Sequence, residues 1–291
     1  MALIGTLTTG VSALKTFSKA LDVIGNNIAN VNTTGFKGST ASFEQSFSNT
    51  LRASSPANGT QSEMSAEQIG TGVEISGIST DFTQGSLNAT GNTTDLALSG
   101  SGFFIVKDAT GGQVYATRDG QFRLDDNGYL VTQSGLRVQG LIGGSSTTPL
   151  GTTVGDIQIG TAVPAGASLQ SISIDTSGNV VEFYTNGTSA TTNRVQLQAF
   201  ADNSALMNQG SNLYTGLAAA GPAGGGILAG GNDPGTSGLG TVQSGTLESS
   251  NVDLTQQFSD LITTQRSFQA GARLITVSDT VLEDVVNLKT R

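Results

Sequence analysis

The chain has 291 residues, a net charge of −9 and no cysteine, histidine or tryptophan. Those absences exclude disulfides, thiolate and imidazole catalysis, and Cys/His zinc sites. The acidic balance argues against a nucleic acid or an anionic membrane surface as partner, and no segment approaches the roughly 20 apolar residues of a membrane span.

In the N-terminal segment, residues 1–36, Leu7, Val11, Leu14, Phe17, Leu21, Ile24, Ile28 and Val31 recur every three or four residues. That spacing lines one face of an α-helix. The only charges here are Lys15 and Lys19 against Asp22. A cluster of Gly25, Asn26, Asn27, Asn30, Asn32 and Gly35 predicts a helix end near Asn30, since both residue types tolerate left-handed backbone. It is richer in Asn than one cap needs, so amides such as Asn26, Asn27 and Asn30 are candidates to bond a neighbouring helix or chain.

Residues 37–72, rich in Ser, Thr, Asn, Gln and Gly, read as an extended connector. Residues 73–215 read as a β-rich region, with two subdomains if the chain divides near 145–156. Its strand-like runs are Phe103–Val106, Val114–Tyr115, Phe122–Leu124, Tyr129–Val131, Leu136–Ile142, Ile172–Ile174, Val180–Tyr184 and Val195–Phe200. Asp125-Asp126-Asn127-Gly128 and Ser177-Gly178-Asn179 supply turns. The carboxylates of the first turn do not make a calcium loop, because the sixth and twelfth positions from Asp125 are Leu130 and Leu136. Residues 216–245, with Pro222, Pro234 and many glycines, read as a linker without a phosphate-binding signature.

Residues 246–291 form a second helical segment, starting after Ser249, Ser250 or Asn251, with Asp253 in its first turn and Lys289 and Arg291 at its end. Leu254, Phe258, Leu261, Phe268, Ala272, Ile275, Leu282 and Val286 fall on a heptad grid interrupted by Gln265 and Asp279. Ile262, Val281 and Val285 widen the stripe. Two readings follow. The ends could close on each other as one helical pair; alternatively they pack against several helices from neighbouring copies. At about 1.5–3 kcal/mol per large apolar side chain, the wide stripe favours assembly. Free termini are then expected to be largely disordered until partners arrive.

The run Leu21 to Lys37, with Gly25-Asn26-Asn27-Ile28-Ala29-Asn30 at its centre, resembles the N-terminal motif of bacterial flagellar rod and hook proteins. The resemblance extends through Gln84-Gly85-Ser86-Leu87, Asp95-Leu96-Ala97-Leu98, Gly102-Phe103-Phe104 and Thr117-Arg118-Asp119-Gly120. It resumes at Gly245 to Leu254 and at Gln265-Arg266-Ser267-Phe268-Gln269-Ala270. Gly25, Lys37-Gly38-Ser39 and Phe43 resemble the hook branch, whereas the length leans towards the rod.

The resemblance implies an α+β fold whose terminal helices form the coiled-coil inner layer of a helical tube, with β domains outside. It implies a short hook subunit, joining rod to filament and transmitting torque, or alternatively a distal rod subunit of the basal body. Implied partners are further copies of itself, rod proteins, the hook cap protein and the hook–filament junction protein. The type III export apparatus joins them, since no basic segment followed by an apolar run marks a cleaved signal. The site is outside the cell envelope for a hook and the periplasmic basal body for a rod. The subunit interface is expected at Leu7, Val11, Leu14, Phe17, Leu21, Ile24, Asn26, Asn27, Ile28, Asn30, Val31, Leu254, Phe258, Leu261, Ile262, Phe268, Ile275, Leu282 and Val286. No catalytic, cofactor or metal site is expected. A carbohydrate-binding or hydrolytic β protein is the distant alternative, since it needs convergent carboxylates where the sequence offers turn pairs such as Asp125 and Asp126.

Overall fold

The computed structural model describes residues 2–54, 56, 63–144, 151, 153–161, 163–224, 226–228 and 232–289. The chain divides into two compact units. The first comprises Met1–Ala29, Gly38–Asp81 and Val252–Arg291, and the second Asn30–Lys37 and Phe82–Asn251.

The first unit contains α1 (Ala2–Ala29), β1 (Ser39–Gln45), β2 (Ser48–Arg52), β3 (Glu67–Gly70), β4 (Val73–Thr80) and α2 (Leu254–Lys289). Helix α1 stops at Ala29, where the Asn-rich cluster takes over. Helix α2 begins later than the Ser/Asn signals predict. Asp253 lies before its first turn and caps it, the carboxylate accepting from the backbone N of Thr255 at 2.7 Å and Gln256 at 3.4 Å. Arg291, expected to favour the C-terminal end, lies outside the described residues.

The helices pair antiparallel. Thr6 meets Ser278 (hydroxyls 3.2 Å apart), and Asn27 Nδ2 donates to Gln257 Oε1 at 2.9 Å. Between these contacts Gly10 faces Ile275 so closely that a Cβ there would lie 2.9 Å from Ile275 Cγ1. Gly10→Leu is therefore expected to overpack the pair and cost about 1–3 kcal/mol, read as an earlier thermal loss of helical circular dichroism.

The stretch read as a connector is extended but paired. β1 pairs with β4 and β2 with β3, both antiparallel. Ser39 meets Thr80 and Thr40 meets Ser79 through hydroxyls at 3.3 and 3.2 Å, so a polar composition sustains this ladder through cross-strand pairs. Helix α1 packs on it: the rings of Phe17 and Phe43 meet edge to face at 5.9 Å, and Thr16 Oγ1 donates to Val73 O at 3.2 Å. Residues 73–80 therefore group with the terminal helices, not with the β-rich stretch that follows.

Among the described residues the second unit contains the strands β5 (Leu87–Ala89), β6 (Leu96–Ser99), β7 (Phe103–Lys107), β8 (Val114–Thr117), β9 (Phe122–Leu124), β10 (Leu130–Thr132), β11 (Arg137–Ile142) and β12 (Thr153–Asp156), then β13 (Leu169–Ile174), β14 (Asn179–Tyr184), β15 (Ser189–Val195), β16 (Leu197–Gln198), β17 (Met207–Gly210), β18 (Leu213–Thr215), β19 (Thr241–Ser244) and β20 (Thr246–Glu248). The main sheet runs β13-β14-β15-β11-β7-β8-β18-β17. Strand β7 is buried on both faces. Phe104 and Val106 enter one apolar cluster with Leu96, Leu130 and Leu197, and Phe103 and Ile105 enter another with Tyr214 and Phe200. That is the two-residue period of a strand.

Both predicted turns form. Gly128 (φ +79°) closes β9–β10 with its N donating to Asp125 O at 2.8 Å, and Gly178 (φ +75°) closes β13–β14 in the same way on Asp175. Residues 145–150 and 152, within the predicted subdomain boundary, lie outside the described residues. Strands on either side share the sheet, since β11 pairs with both β12 and β15. The Gly-rich stretch read as a linker packs down where it is described. Leu228 and Leu239 are buried, and β19 pairs with β6. Glycine serves close approach here: a Cβ at Gly240 would collide with Ser99 O. Residues 225 and 229–231 of that stretch lie outside the described residues.

Two buried tyrosines give this unit an alkaline limit. Burial, with a hydrogen bond to Glu182, pushes the Tyr184 hydroxyl up to about 12, and burial does the same to Tyr214. A raised folded-state pKa contributes stability that is intact below about 10, the unfolded value, and lost as pH rises towards 12. Urea midpoints are expected to fall across that window, and Tyr184→Phe to soften the fall.

Candidate assembly surface and buried junction

The two terminal stripes divide into a face used within the chain and a face left open. On α2, Leu261, Phe268, Ile275 and Leu282, each seven residues from the next, are half-buried. On α1, Ile24 is buried and Leu7, Leu14, Phe17, Leu21 and Ile28 are half-buried. Leu14 packs at Gly271 and Ile275 at Gly10 across the pair, while Phe17 meets Phe43 on β1. Val11, Leu254, Phe258, Ile262 and Val286 are exposed by 40–61%.

A second α2 seam was only partly visible in sequence. Leu274, Val277, Val281, Val285 and Leu288 follow at intervals of three and four residues and are all 40–76% exposed. Val281 and Val285 are the members that widen the first grid, and the three- and four-residue spacing is the signal for the rest. Exposed in water, such a seam forgoes several kcal/mol, at about 1.5–3 kcal/mol per side chain.

The Asn-rich cluster serves several ends. Asn27 is 2% exposed; its Nδ2 donates to Ser39 O (2.8 Å) and Gln257 Oε1, and its Oδ1 accepts from Ser39 N at 3.0 Å. It thus bonds a neighbouring helix of its own chain. Asn26 is exposed. In the second unit, Asn30 and Val31 are half-buried, Asn30 accepting from Thr33 Oγ1 at 3.1 Å.

That unit also holds a buried junction that sequence reasoning did not single out. Lys37 Nζ donates to Glu248 Oε1 and to Thr83 O, both at 2.7 Å. Gly85 N donates to the same carboxylate oxygen at 2.9 Å, and Arg118 Nη1 lies 3.4 Å from Oε2. All three charged residues are at most 4% exposed. The Arg118 guanidinium sits over the Phe103 ring, 5.2 Å from its centroid; burial lowers its pKa and Glu248 counters that.

The backbone is as tightly drawn in. Gly35 N donates to Glu248 O at 2.8 Å. Gly35 has φ +65°, and a Cβ there would lie 2.7 Å from Asp119 N; one at Gly85 would strike Ser249 O, and one at Gly120 would strike Leu96 O. Short motifs far apart in sequence thus meet around one carboxylate. Gly35→Ala is expected to cost about 2–4 kcal/mol through left-handed strain and backbone overlap, read by urea denaturation of the full chain.

Paired terminal helices with open apolar seams, on a chain whose remainder is mainly β, define an α+β structural subunit. Three family models match along its length. One described as "Flagella basal body rod protein" matches residues 7–37, "Flagellar hook protein FlgE/F/G D1 domain" matches 97–182, and "Flagellar basal body rod FlgEFG protein C-terminal" matches 243–288. The flagellar basal-body rod protein FlgG of Bacillus subtilis is 38% identical over 97% of this chain and 98% of its own length. That of Buchnera aphidicola subsp. Acyrthosiphon pisum is 32% identical over 92% and 93%. The flagellar hook protein FlgE of Helicobacter mustelae is 47% identical, over 46% of this chain and 30% of its own length. The chain belongs to the flagellar rod and hook family of axial structural proteins.

Proposed function

We propose that this chain is a rod subunit of the flagellar basal body, a non-enzymatic protein that polymerises with copies of itself into the axial tube. The observation that carries this reading is end-to-end correspondence with the rod protein FlgG, over 98% of that protein's length. The expected interface, from Leu7 to Val31 and Leu254 to Val286, then lines the inner wall. The exposed members Val11, Leu254, Phe258, Ile262 and Val286 make contacts between copies, and the half-buried ones hold each pair together. Adjacent rod and hook components are its axial partners, and delivery is by the type III export route.

A hook subunit is the second reading, favoured by the 47% match to a hook protein and by the hook-like Gly25 and Lys37-Gly38-Ser39. Electron microscopy of polymer grown from purified protein separates them. Straight tubes are expected; curved tubes would transfer the assignment to the hook.

A further inference from the structure

Two rows of charge in the first unit form no ion pair among the described residues, although Glu74 lines a groove together with Lys15 and Lys19. Lys15 and Lys19 are exposed on α1, four residues apart, and Asp279 and Glu283 are exposed on α2, also four apart. Residues four apart share a helix face. The ion pairs among the described residues are Lys37–Glu248, Arg118–Glu248, Arg137–Asp156 and Arg194–Asp233, and none involves these rows.

The antiparallel contacts at Thr6–Ser278, Gly10–Ile275 and Asn27–Gln257 keep the rows apart. They set Lys15 level with about residue 270, roughly 20 Å from Glu283 along the axis at 1.5 Å per residue. The surrounding sequence has the same complementarity. Residues 2–21 contain these two lysines and no acid, while residues 274–288 contain Asp279, Glu283 and Asp284 and no base.

Apolar groups continue both rows. Val11, four residues before Lys15, is 42% exposed and lines a shallow groove of about 350 Å³ with Leu7, Thr8, Ser12 and Lys15. Val286, three residues after Glu283, is 61% exposed. Run antiparallel, 11-15-19 against 286-283-279 sets valine on valine and each cation on an anion. We propose that α1 of one copy docks on α2 of a second copy in this register, with Val11 on Val286, Lys15 on Glu283 and Lys19 on Asp279. The register fixes an axial stagger of about 20 Å between those neighbours. It deepens the polymer reading above and rests on it.

The chain has no cysteine, so a V11C/V286C double variant tests the contact cleanly. The two positions are too far apart along one helix pair for a disulfide within a chain. Mild oxidation during assembly of the full-length variant is expected to give a ladder of covalent oligomers, whereas V11C or V286C alone gives at most dimers. In parallel, K15E/K19E and D279K/E283K are each expected to raise the critical concentration for polymer at least about tenfold, and the combined variant to restore it. No ladder from wild-type-like polymer, or charge reversals that assemble at the wild-type concentration, would overturn the register and leave the polymer reading standing. Absence of polymer from the wild type under all conditions would remove both.

Discussion

Replacing Glu248 with alanine is expected to destabilise the β-rich unit by about 3–5 kcal/mol, because it strands two buried cations. Lys37 would lose its carboxylate partner while keeping the Thr83 carbonyl, and Arg118, whose Nε already lacks a partner, would lose its counterion. The surrounding backbone has no room to relax: Gly35, Gly85 and Gly120 are packed against main chain. Glu248→Gln keeps the shape and removes the charge, and is expected to recover only part of the loss. The readout is specific. The four tyrosines, Tyr115, Tyr129, Tyr184 and Tyr214, all lie in this unit, and with no tryptophan in the chain tyrosine fluorescence reports its unfolding alone. Urea midpoints within error of wild type would mean that the ion cluster does not hold the junction.

Placing aspartate at both Val277 and Val281 is expected to stop assembly without unfolding either helix. Both side chains are exposed, by 59% and 40%, so the isolated chain loses little. If copies bury them, the loss is about 1.5–3 kcal/mol for each, plus desolvation of the new carboxylates. The pair then raises the critical concentration by about a hundredfold or more, at about 1.4 kcal/mol per factor of ten. Sedimentation of graded concentrations reads this, with helical circular dichroism as the folding control. Assembly at the wild-type concentration would show that the seam faces the lumen or solvent.

The sequence carried the helix positions because the apolar spacing, the Asn-rich stop and the strand alternation are local signals. Phe103 to Val106 read as one apolar run, and the fold explains it by burying alternate residues in separate clusters. Partnering was much less legible. Residues 37–72 looked like connector because small polar residues dominate them, yet hydroxyl pairs between β1 and β4 sustain a ladder that composition alone does not announce. Likewise the glycines from 216 to 245 suggested freedom, whereas Gly240 and its neighbours serve close backbone approach.

The candidate surface shows the same division. The heptad-spaced Leu261, Phe268, Ile275 and Leu282 were legible as a seam, but nothing in their spacing told a partner in the same chain from one in another copy. The Glu248 junction was invisible as a site, since Lys37, Arg118 and Glu248 meet only through long-range topology. The resemblance had flagged the motifs around them without saying why they belong together.

The central claim is that the terminal helices drive polymerisation while the β-rich unit folds without them. Electron microscopy of the intact protein beside a variant lacking residues 254–291, with tyrosine fluorescence on both, tests it most directly. Tubes from the intact chain only, with native tyrosine emission in both proteins, are predicted. Tubes that persist after the deletion would contradict the account.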